Sequence, residues 1–135
     1  MESSLREQFI PYKLALKLKQ LGFIEPCVGY FSQLASQSSG WDIVEPDEPF
    51  TKWYRKGMVL LPLWQQAFDW FRSKYNLFGT IVISGQDDWQ YYVHDLNARS
   101  LIYSGHIRFS YENQHTIYED TRLALLNKLI ELLNK

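Results

Sequence analysis

The chain has 135 residues, with 14 basic and 15 acidic side chains and a single cysteine, Cys27. The near-zero net charge excludes a global field that would steer the chain to nucleic acid or to an anionic membrane, and one cysteine excludes an internal disulfide. No apolar run approaches the roughly 20 residues of a membrane span, and MESSLREQFIPYK lacks an apolar signal core. We therefore expect a cytoplasmic protein with one domain over residues 1–135, in which residues 1–9 form a flexible polar tail.

Aromatic residues make up 16% of the chain, as five Trp, nine Tyr and eight Phe. Tyrosine and tryptophan are favoured at interfaces because they give a large contact area at a low entropic cost. The surplus therefore favours binding to another protein. The alternative, that a small core uses bulky side chains, stays open at this point.

The first predicted helix begins at Pro11 and ends at Gly22, a glycine suited to the position after a helix. Its apolar seam consists of Leu14, Leu18 and Leu21. Tyr12 and Leu16 lie on a flank that this seam does not explain. We expect that flank to meet another helix or a partner.

Two strands are predicted next, Cys27–Phe31 and Trp41–Val44, as the arms of a hairpin. A basic and aromatic segment follows, within a predicted short edge strand over residues 50–56. Basic residues interleaved with aromatic ones suit backbone contact and base stacking on nucleic acid. The segment therefore gives an alternative function, nucleic-acid association, against which the balanced net charge argues. Its candidate residues are Lys52, Trp53, Tyr54, Arg55 and Lys56, together with Lys13, Lys17 and Lys19 on the first helix.

The central helix is predicted from Pro62 to Asn76, because its aromatic residues recur at helical spacing. The stripe consists of Trp64, Ala67, Phe68, Phe71 and Tyr75. A β-branched run, Thr80–Ile83, then predicts a buried strand.

A meander follows, with strands at Trp89–Leu96, Leu101–Tyr103 and Ile107–Tyr111, and with Ser104 and Gly105 as a turn. Alternation gives each strand one face packed on helices and one face in water. Four side chains fall on the wet face and could form a small site that binds an anion or transfers a proton: Tyr92, His94, His106 and Arg108. The alternative is that they are ordinary exposed strand residues.

The last helix is predicted to about Asn134, with Thr116 as its N-cap and Glu119 completing a capping box. Its core seam is expected to be Leu123, Leu126, Ile130 and Leu133. Leu125 and Leu132 lie at the far edge of the apolar face, so they need a second neighbour. That neighbour is either the first helix or another copy of the chain, which predicts a homodimer.

The chain contains no glycine-rich phosphate loop, His-x-x-x-His pattern, cysteine pair or serine elbow. We therefore predict no catalytic residues, no metal, no cofactor and no enzymatic activity. The predicted fold is a two-layer α+β domain, in which an antiparallel, meander-rich sheet is packed by three helices in the order α-β-β-α-β-β-β-α.

Three parts of the chain resemble, in this order, a family of small proteins of unknown function from gut bacteria and their mobile elements, including phages. They are Ala15–Phe23 with Glu25–Phe31, Gln66–Tyr75 and Ala124–Leu132. The resemblance departs around residues 33–57 and in the meander. It implies an intracellular accessory protein of phage type in which these three parts serve mainly as scaffold, and it carries over no catalytic residue. The aromatic surplus and the apolar excess of the last helix predict an unknown protein partner.

Overall fold

The structure is a computed structural model that describes residues 3–32, 41–43, 58–84 and 88–134. It confirms the α+β class. The predicted order of elements is kept with two short additions, a four-residue helix at the start and a strand directly before the central helix. Contacts divide the chain into two compact units, Met1–Ala67 and Phe68–Lys135. The single-domain organisation remains a prediction.

The first unit contains helices α1 (Ser3–Arg6) and α2 (Tyr12–Gln20) and strands β1 (Gly29–Ser32), β2 (Trp41–Ile43) and β3 (Met58–Leu61). The strands form an antiparallel sheet in the order β2-β1-β3. Phe31 lies opposite Trp41, which confirms the predicted hairpin of β1 and β2. The predicted edge strand over residues 50–56 lies outside the described residues.

Helix α2 ends as the sequence predicts. Gly22 has φ 97°, a conformation that costs glycine little. The backbone N–H of Phe23 donates to the carbonyl of Leu18, and that of Gly22 donates to the carbonyl of Lys19. These two bonds define a Schellman motif, in which the residue after the glycine packs back onto the helix. Phe23 is accordingly buried.

Residues 5–9 correct the prediction of a flexible tail. Phe9 is buried and bridges to Leu63, and the indole of Trp64 donates to the carbonyl oxygen of Glu7 at 3.1 Å. The guanidinium of Arg6 donates to the carbonyl of Ile10 at 2.9 Å. Leu63 and Trp64 lie more than fifty residues away in the sequence, and the Arg6 bond is a local one. The polar composition of the segment predicts neither kind of contact.

In helix α3 (Trp64–Tyr75) three residues of the predicted stripe are buried, Trp64, Ala67 and Phe71, as is Trp70. The other two, Phe68 and Tyr75, are half-buried. The helix ends at Asn76, whose φ of 57° turns the chain directly into the next strand. That strand, β4, spans Leu77–Ser84 and so begins three residues before the predicted β-branched run. Gly79 lies inside it and does not end the helix.

The second unit contains β4, β5 (Asp88–Asp95), β6 (Ser100–Arg108) and helix α4 (Ile117–Leu133). The three strands form an antiparallel sheet in the order β4-β5-β6. Strand β6 corrects the predicted turn at Ser104 and Gly105, because pairing with β5 continues through both residues. A β-bulge interrupts this pairing: Val93 lies opposite Tyr103 and His94 opposite Leu101, which leaves Ile102 as the extra residue.

Helix α4 buries Leu126 and Ile130 of the predicted seam but not Leu123. The buried residues recur every four positions and include a threonine; they are Ile117, Thr121, Leu125, Leu126, Leu129 and Ile130. The Thr121 hydroxyl donates to the carbonyl of Ile117 at 2.7 Å, so the buried polar group is satisfied. Leu123, a predicted core residue, is 37% exposed.

The predicted capping box at the start of α4 is not formed. Thr116 is the N-cap residue, but its side chain makes no capping hydrogen bond. Its hydroxyl instead contacts a carboxylate oxygen of Asp120 at 3.2 Å. Glu119 and Asp120 still lie in the first turn, where negative charge is favourable.

Candidate functional site

The sheet of the second unit has one face against α4 and one face away from it. Gly79 and Tyr103 belong to the face against α4, because Gly79 lies against Leu125 and Tyr103 lies under Lys128. Tyr91 belongs to the same face, because its ring contacts that of Tyr103. The alternate residues form what we call the open face: Phe78, Thr80 and Val82 on β4, Gln90, Tyr92 and His94 on β5, and Leu101, Ser104, His106 and Arg108 on β6. This face contains all four residues of the predicted ligand site.

Cross-strand pairing arranges the open face in rows. His94 lies between Phe78 and Leu101. The next row is Thr80, Tyr92 and Ser104, followed by Val82, Gln90 and His106. Arg108 lies opposite Asp88 in the last row.

These rows show which candidate ligand residues come together. His94 and His106 are two rows apart, a separation of ~13 Å along the strands. The prediction that they belong to one small site is therefore wrong. His94 and Arg108 are three rows apart, or ~20 Å. Tyr92 and His106 are diagonal neighbours, about 7–8 Å apart. Sequence alternation placed the four residues on one face correctly, but it carries no information on the register between strands.

Gln90 is a neighbour of both Tyr92 and His106. The Tyr92 hydroxyl donates to the side-chain oxygen of Gln90, which lies directly opposite His106. The hydroxyl of Tyr92 is therefore engaged by its own strand. This arrangement offers hydrogen-bonding groups along the middle of the open face, rather than an orienting pair for proton transfer.

Exposed apolar side chains flank this polar strip, and the sequence analysis did not single them out as functional. Phe78 is 37% exposed and Val82 46% exposed on β4. Leu101 is 51% exposed on β6, and Ile102, the bulge residue beside it, is 42% exposed. Alternation along β4 could have found Phe78 and Val82, whereas Ile102 depends on the bulge.

On the opposite face, aromatic and charged side chains attach α4 to the sheet. The Lys128 ammonium lies 4.1 Å from the ring centroid of Tyr103 and 3.1 Å from a carboxylate oxygen of Glu131. The rings of Tyr103 and Tyr91 lie 5.9 Å apart. Burial, together with Tyr103 and the charge of Glu131, raises the pKa of Tyr91 to about 12. The phenol is therefore neutral at physiological pH and acts in packing.

A second contact of this kind lies near the other end of α4. The rings of Trp89 and Tyr118 meet edge to face at 5.9 Å, and the Arg122 guanidinium lies 5.2 Å from the Tyr118 ring centroid. Such contacts add modestly to the apolar burial. Together the two groups fix α4 on one face of the sheet and leave the open face to other interactions.

The predicted interface residues divide into two kinds. Leu125 is 1% exposed and packs on Gly79, so it belongs to the core, which corrects its assignment to an interface. Leu132 is half-buried. In the first unit Leu16 is half-buried, and Tyr12 contacts the ring of Phe31 at 4.2 Å, so part of the unexplained flank packs within the chain.

The predicted nucleic-acid residues, Lys52, Trp53, Tyr54, Arg55 and Lys56, lie outside the described residues. On α2, Lys13 and Lys17 are exposed and one turn apart. These two lysines form a short basic face on that helix.

Cys27 has the environment of a protonated thiol. Its sulfur donates to the carbonyl oxygen of Glu25 at 3.3 Å. Burial raises the pKa of the thiol to about 12; a hydrogen bond with Gln66 opposes this change and the charge of Glu25 reinforces it. Since the thiolate is the nucleophile, this environment makes Cys27 a poor nucleophile.

Comparisons with protein-family models, with curated proteins and with solved structures found no match. Among the residues that the structure describes, no group of three His, Cys, Asp or Glu side chains could hold a metal ion. Within the same residues, no helix has the length and apolar character to cross a membrane.

Proposed function

We propose that the chain is a non-enzymatic protein-interaction module that binds its partner through the open face of the β4-β5-β6 sheet. The observation that carries the proposal is the exposure of Phe78, Val82 and Leu101 on that face and of Ile102 at the adjacent bulge, at 37–51% of each residue's surface. Large exposed apolar patches rimmed by polar groups mark interaction sites. Covering these side chains would supply the apolar burial that drives association.

The pattern of the open face defines the partner surface that would fit it. Apolar side chains lie on the two outer strands, at Phe78 and Val82 on one side and Leu101 on the other. The central strand between them presents Gln90 and Tyr92, which can exchange hydrogen bonds. A complementary protein surface therefore has an apolar stripe facing β4 and one apolar group about 10 Å away facing Leu101, twice the spacing of adjacent strands, with polar groups between them.

The spread of the ionisable side chains favours binding over catalysis. Acid–base chemistry needs its groups within hydrogen-bond reach of one reacting atom. His94, His106 and Arg108 lie in three different rows that span ~20 Å. A broad protein surface can contact all three at once.

We further propose a cytoplasmic setting of phage or mobile-element type. The single cysteine with its protonated thiol suits a reducing compartment. The phage-type setting rests on the resemblance of Ala15–Phe23, Gln66–Tyr75 and Ala124–Leu132.

A pair of matched leucine variants tests the proposed binding face. Leu101→Arg places a charge on the open face, and Leu123→Arg places the same charge on α4, at a leucine that is 37% exposed. Tagged wild type and both variants are used to capture proteins from the native cytoplasm after nuclease treatment. We expect a protein that wild type and Leu123→Arg retain and Leu101→Arg loses.

Two outcomes would contradict the proposal. A partner retained equally by both variants would place binding outside the open face. A captured signal that disappears with nuclease would instead support nucleic-acid association, since electrostatic contacts to phosphate dominate such binding.

A further inference from the structure

The two outer strands of the second sheet differ in how their free edges are protected. A free edge presents unpaired N–H and C=O groups, a template for another strand, and proteins usually block it with charges, prolines or bulges. Strand β4 has none of these: its eight residues, LFGTIVIS, include no charged residue and no proline. Five of them, Leu77, Phe78 and Ile81–Ile83, are apolar residues that favour a strand.

Strand β6, at the other edge of the same sheet, carries the usual protection. The bulge at Ile102 interrupts its regular pairing, and His106 and Arg108 place ionisable groups along it. A bulge bends the strand and increases its twist, which hinders the approach of another strand. The contrast within one sheet singles out β4.

No described strand pairs with the outer edge of β4. Each of its residues pairs with β5 on one side, from Leu77 opposite Asp95 to Ser84 opposite Asp88. The sheet order β4-β5-β6 places no described strand on the other side. Val82 and Ile83, toward its end, are 46% and 58% exposed.

We propose that β4 pairs antiparallel with β4 of a second copy of the chain, about a twofold axis through Thr80, to form a continuous six-stranded sheet. The inference goes beyond the proposed function, because it concerns the edge of the sheet and not its open face. Antiparallel pairing about Thr80 places residues whose numbers sum to 160 opposite each other. Phe78 then faces Val82 of the second copy, twice, and Thr80 faces Thr80.

These pairs are favourable ones. Aromatic residues opposite β-branched residues, and threonine opposite threonine, stabilise antiparallel sheets. In this register the α4 helices of both copies lie on the same side of the six-stranded sheet. A shift of the pairing by one residue would turn one copy over and place its α4 on the opposite side. The two open faces therefore continue into one another.

The lack of charge on β4 favours a second copy as the occupant. A twofold axis brings each residue near its own equivalent, so a charged edge would place like charges together, whereas LFGTIVIS presents none. A strand from a foreign partner would find no charge on β4 to select it. The interactions that β4 can offer are backbone hydrogen bonds and apolar contacts, and β4 of a second copy can supply the partner for both.

Two lysine variants test the proposal on purified protein. Thr80 and Ser104 both lie opposite Tyr92, in the same row of the open face, one on each outer strand. We expect wild type to show a concentration-dependent dimer in sedimentation velocity. Thr80→Lys places two like charges opposite each other, so we expect it to raise the dissociation constant about tenfold or more, while Ser104→Lys leaves it unchanged.

A cysteine variant tests the same pairing without requiring that the fold accept a lysine at position 80. In the Cys27→Ala background, Thr80→Cys places two Cα atoms about 4.5–5.5 Å apart across the axis, within the range of a disulfide. We expect oxidation to give a covalent dimer for Thr80→Cys and none for Ser104→Cys.

Several results would overturn the inference. They are a wild-type monomer at every concentration, a dimer that Ser104→Lys weakens and Thr80→Lys does not, and equal effects of the two lysines. Failure of this inference is distinguishable from failure of the proposed function, because Leu101→Arg is expected to abolish partner capture while the purified variant still dimerises.

Discussion

Gly79 on β4 lies so close to Leu125 on α4 that a Cβ atom at position 79 would be 3.0 Å from both methyl carbons of that leucine. Leu125 is 1% exposed, so its side chain has little room to retreat. This approach sets the distance between α4 and the sheet at that point. It also explains why a glycine is present in the interior of a strand, where it is otherwise unfavourable.

Gly79→Ala is therefore expected to destabilise the protein. Overpacking against Leu125 outweighs the gain from a less flexible unfolded chain, so the net loss in the free energy of unfolding is about 1 kcal/mol. Urea denaturation followed by far-UV circular dichroism measures the change. The double variant with Leu125→Val tests the cause, because a smaller side chain should make the cost of Gly79→Ala lower; an unchanged cost would contradict the contact.

Gly105→Ala tests a glycine in β6 that the sequence assigns to a turn. The ring of Tyr91 covers it, and a Cβ atom there would lie 2.8 Å from Tyr91 Cε1. Tyr91 is 9% exposed, so displacing its ring disturbs the contact with Tyr103. We expect a loss of about 1–3 kcal/mol in the free energy of unfolding.

The control for this prediction is Ser104→Ala, one residue away on the open face. It adds no atom and is expected to change the free energy of unfolding by less than about 0.5 kcal/mol. A turn at residues 104 and 105 would tolerate both substitutions equally, and that result would argue against a continuous β6.

The seam of α4 gives a third prediction. Leu125→Ala removes a fully buried side chain and is expected to cost about 2–5 kcal/mol, whereas Leu123→Ala, at a site 37% exposed, is expected to cost less than about 1 kcal/mol. Chemical denaturation of the two variants measures the difference. The reverse ranking would restore the seam that the sequence predicts.

Cys27 gives a prediction about pH. Because the thiol pKa rises from 9.0 to about 12 on folding, its contribution to stability is complete below pH 9.0 and is lost as the pH rises toward about 12. We expect the free energy of unfolding of wild type to fall relative to that of Cys27→Ala as the pH rises over this range. Urea denaturation at pH 7, 9 and 10 measures it.

The same group predicts slow thiol chemistry in the folded protein. Reaction of Cys27 with a disulfide reagent at pH 8 should be much slower in buffer than in urea, because the thiolate is the reacting form. Equal rates in the two solvents would show that the thiol is accessible and its pKa ordinary.

Local signals predicted the parts of the fold that depend on neighbouring residues. Gly22 after a leucine-rich helix indicated the Schellman motif, and the aromatic spacing from Trp64 to Phe71 indicated the buried stripe of α3. Both depend on contacts within one or two helical turns, which a single sequence records.

The missed features depend on hydrogen bonding of a polar side chain within a helix or on partners in a neighbouring strand. Thr121 is buried because its hydroxyl returns to the helix backbone, so hydrophobicity alone shifted the predicted seam of α4 to Leu123. Ser104 and Gly105 have the composition of a turn, but the ring of Tyr91 on the neighbouring strand covers the glycine. The rows that separate His94 from His106 follow from strand register, which composition and alternation do not fix.

The bulge at Ile102 inverts the phase of β6. Before it, the odd-numbered Leu101 belongs to the open face; after it, the even-numbered Ser104, His106 and Arg108 do. Position 102 is thus a place where a chain can lose or gain one residue while every side chain downstream keeps its side of the sheet. Orthologues that differ by a single-residue gap there would share the same surface, and an alignment forced through without the gap would exchange inside for outside along the rest of the strand.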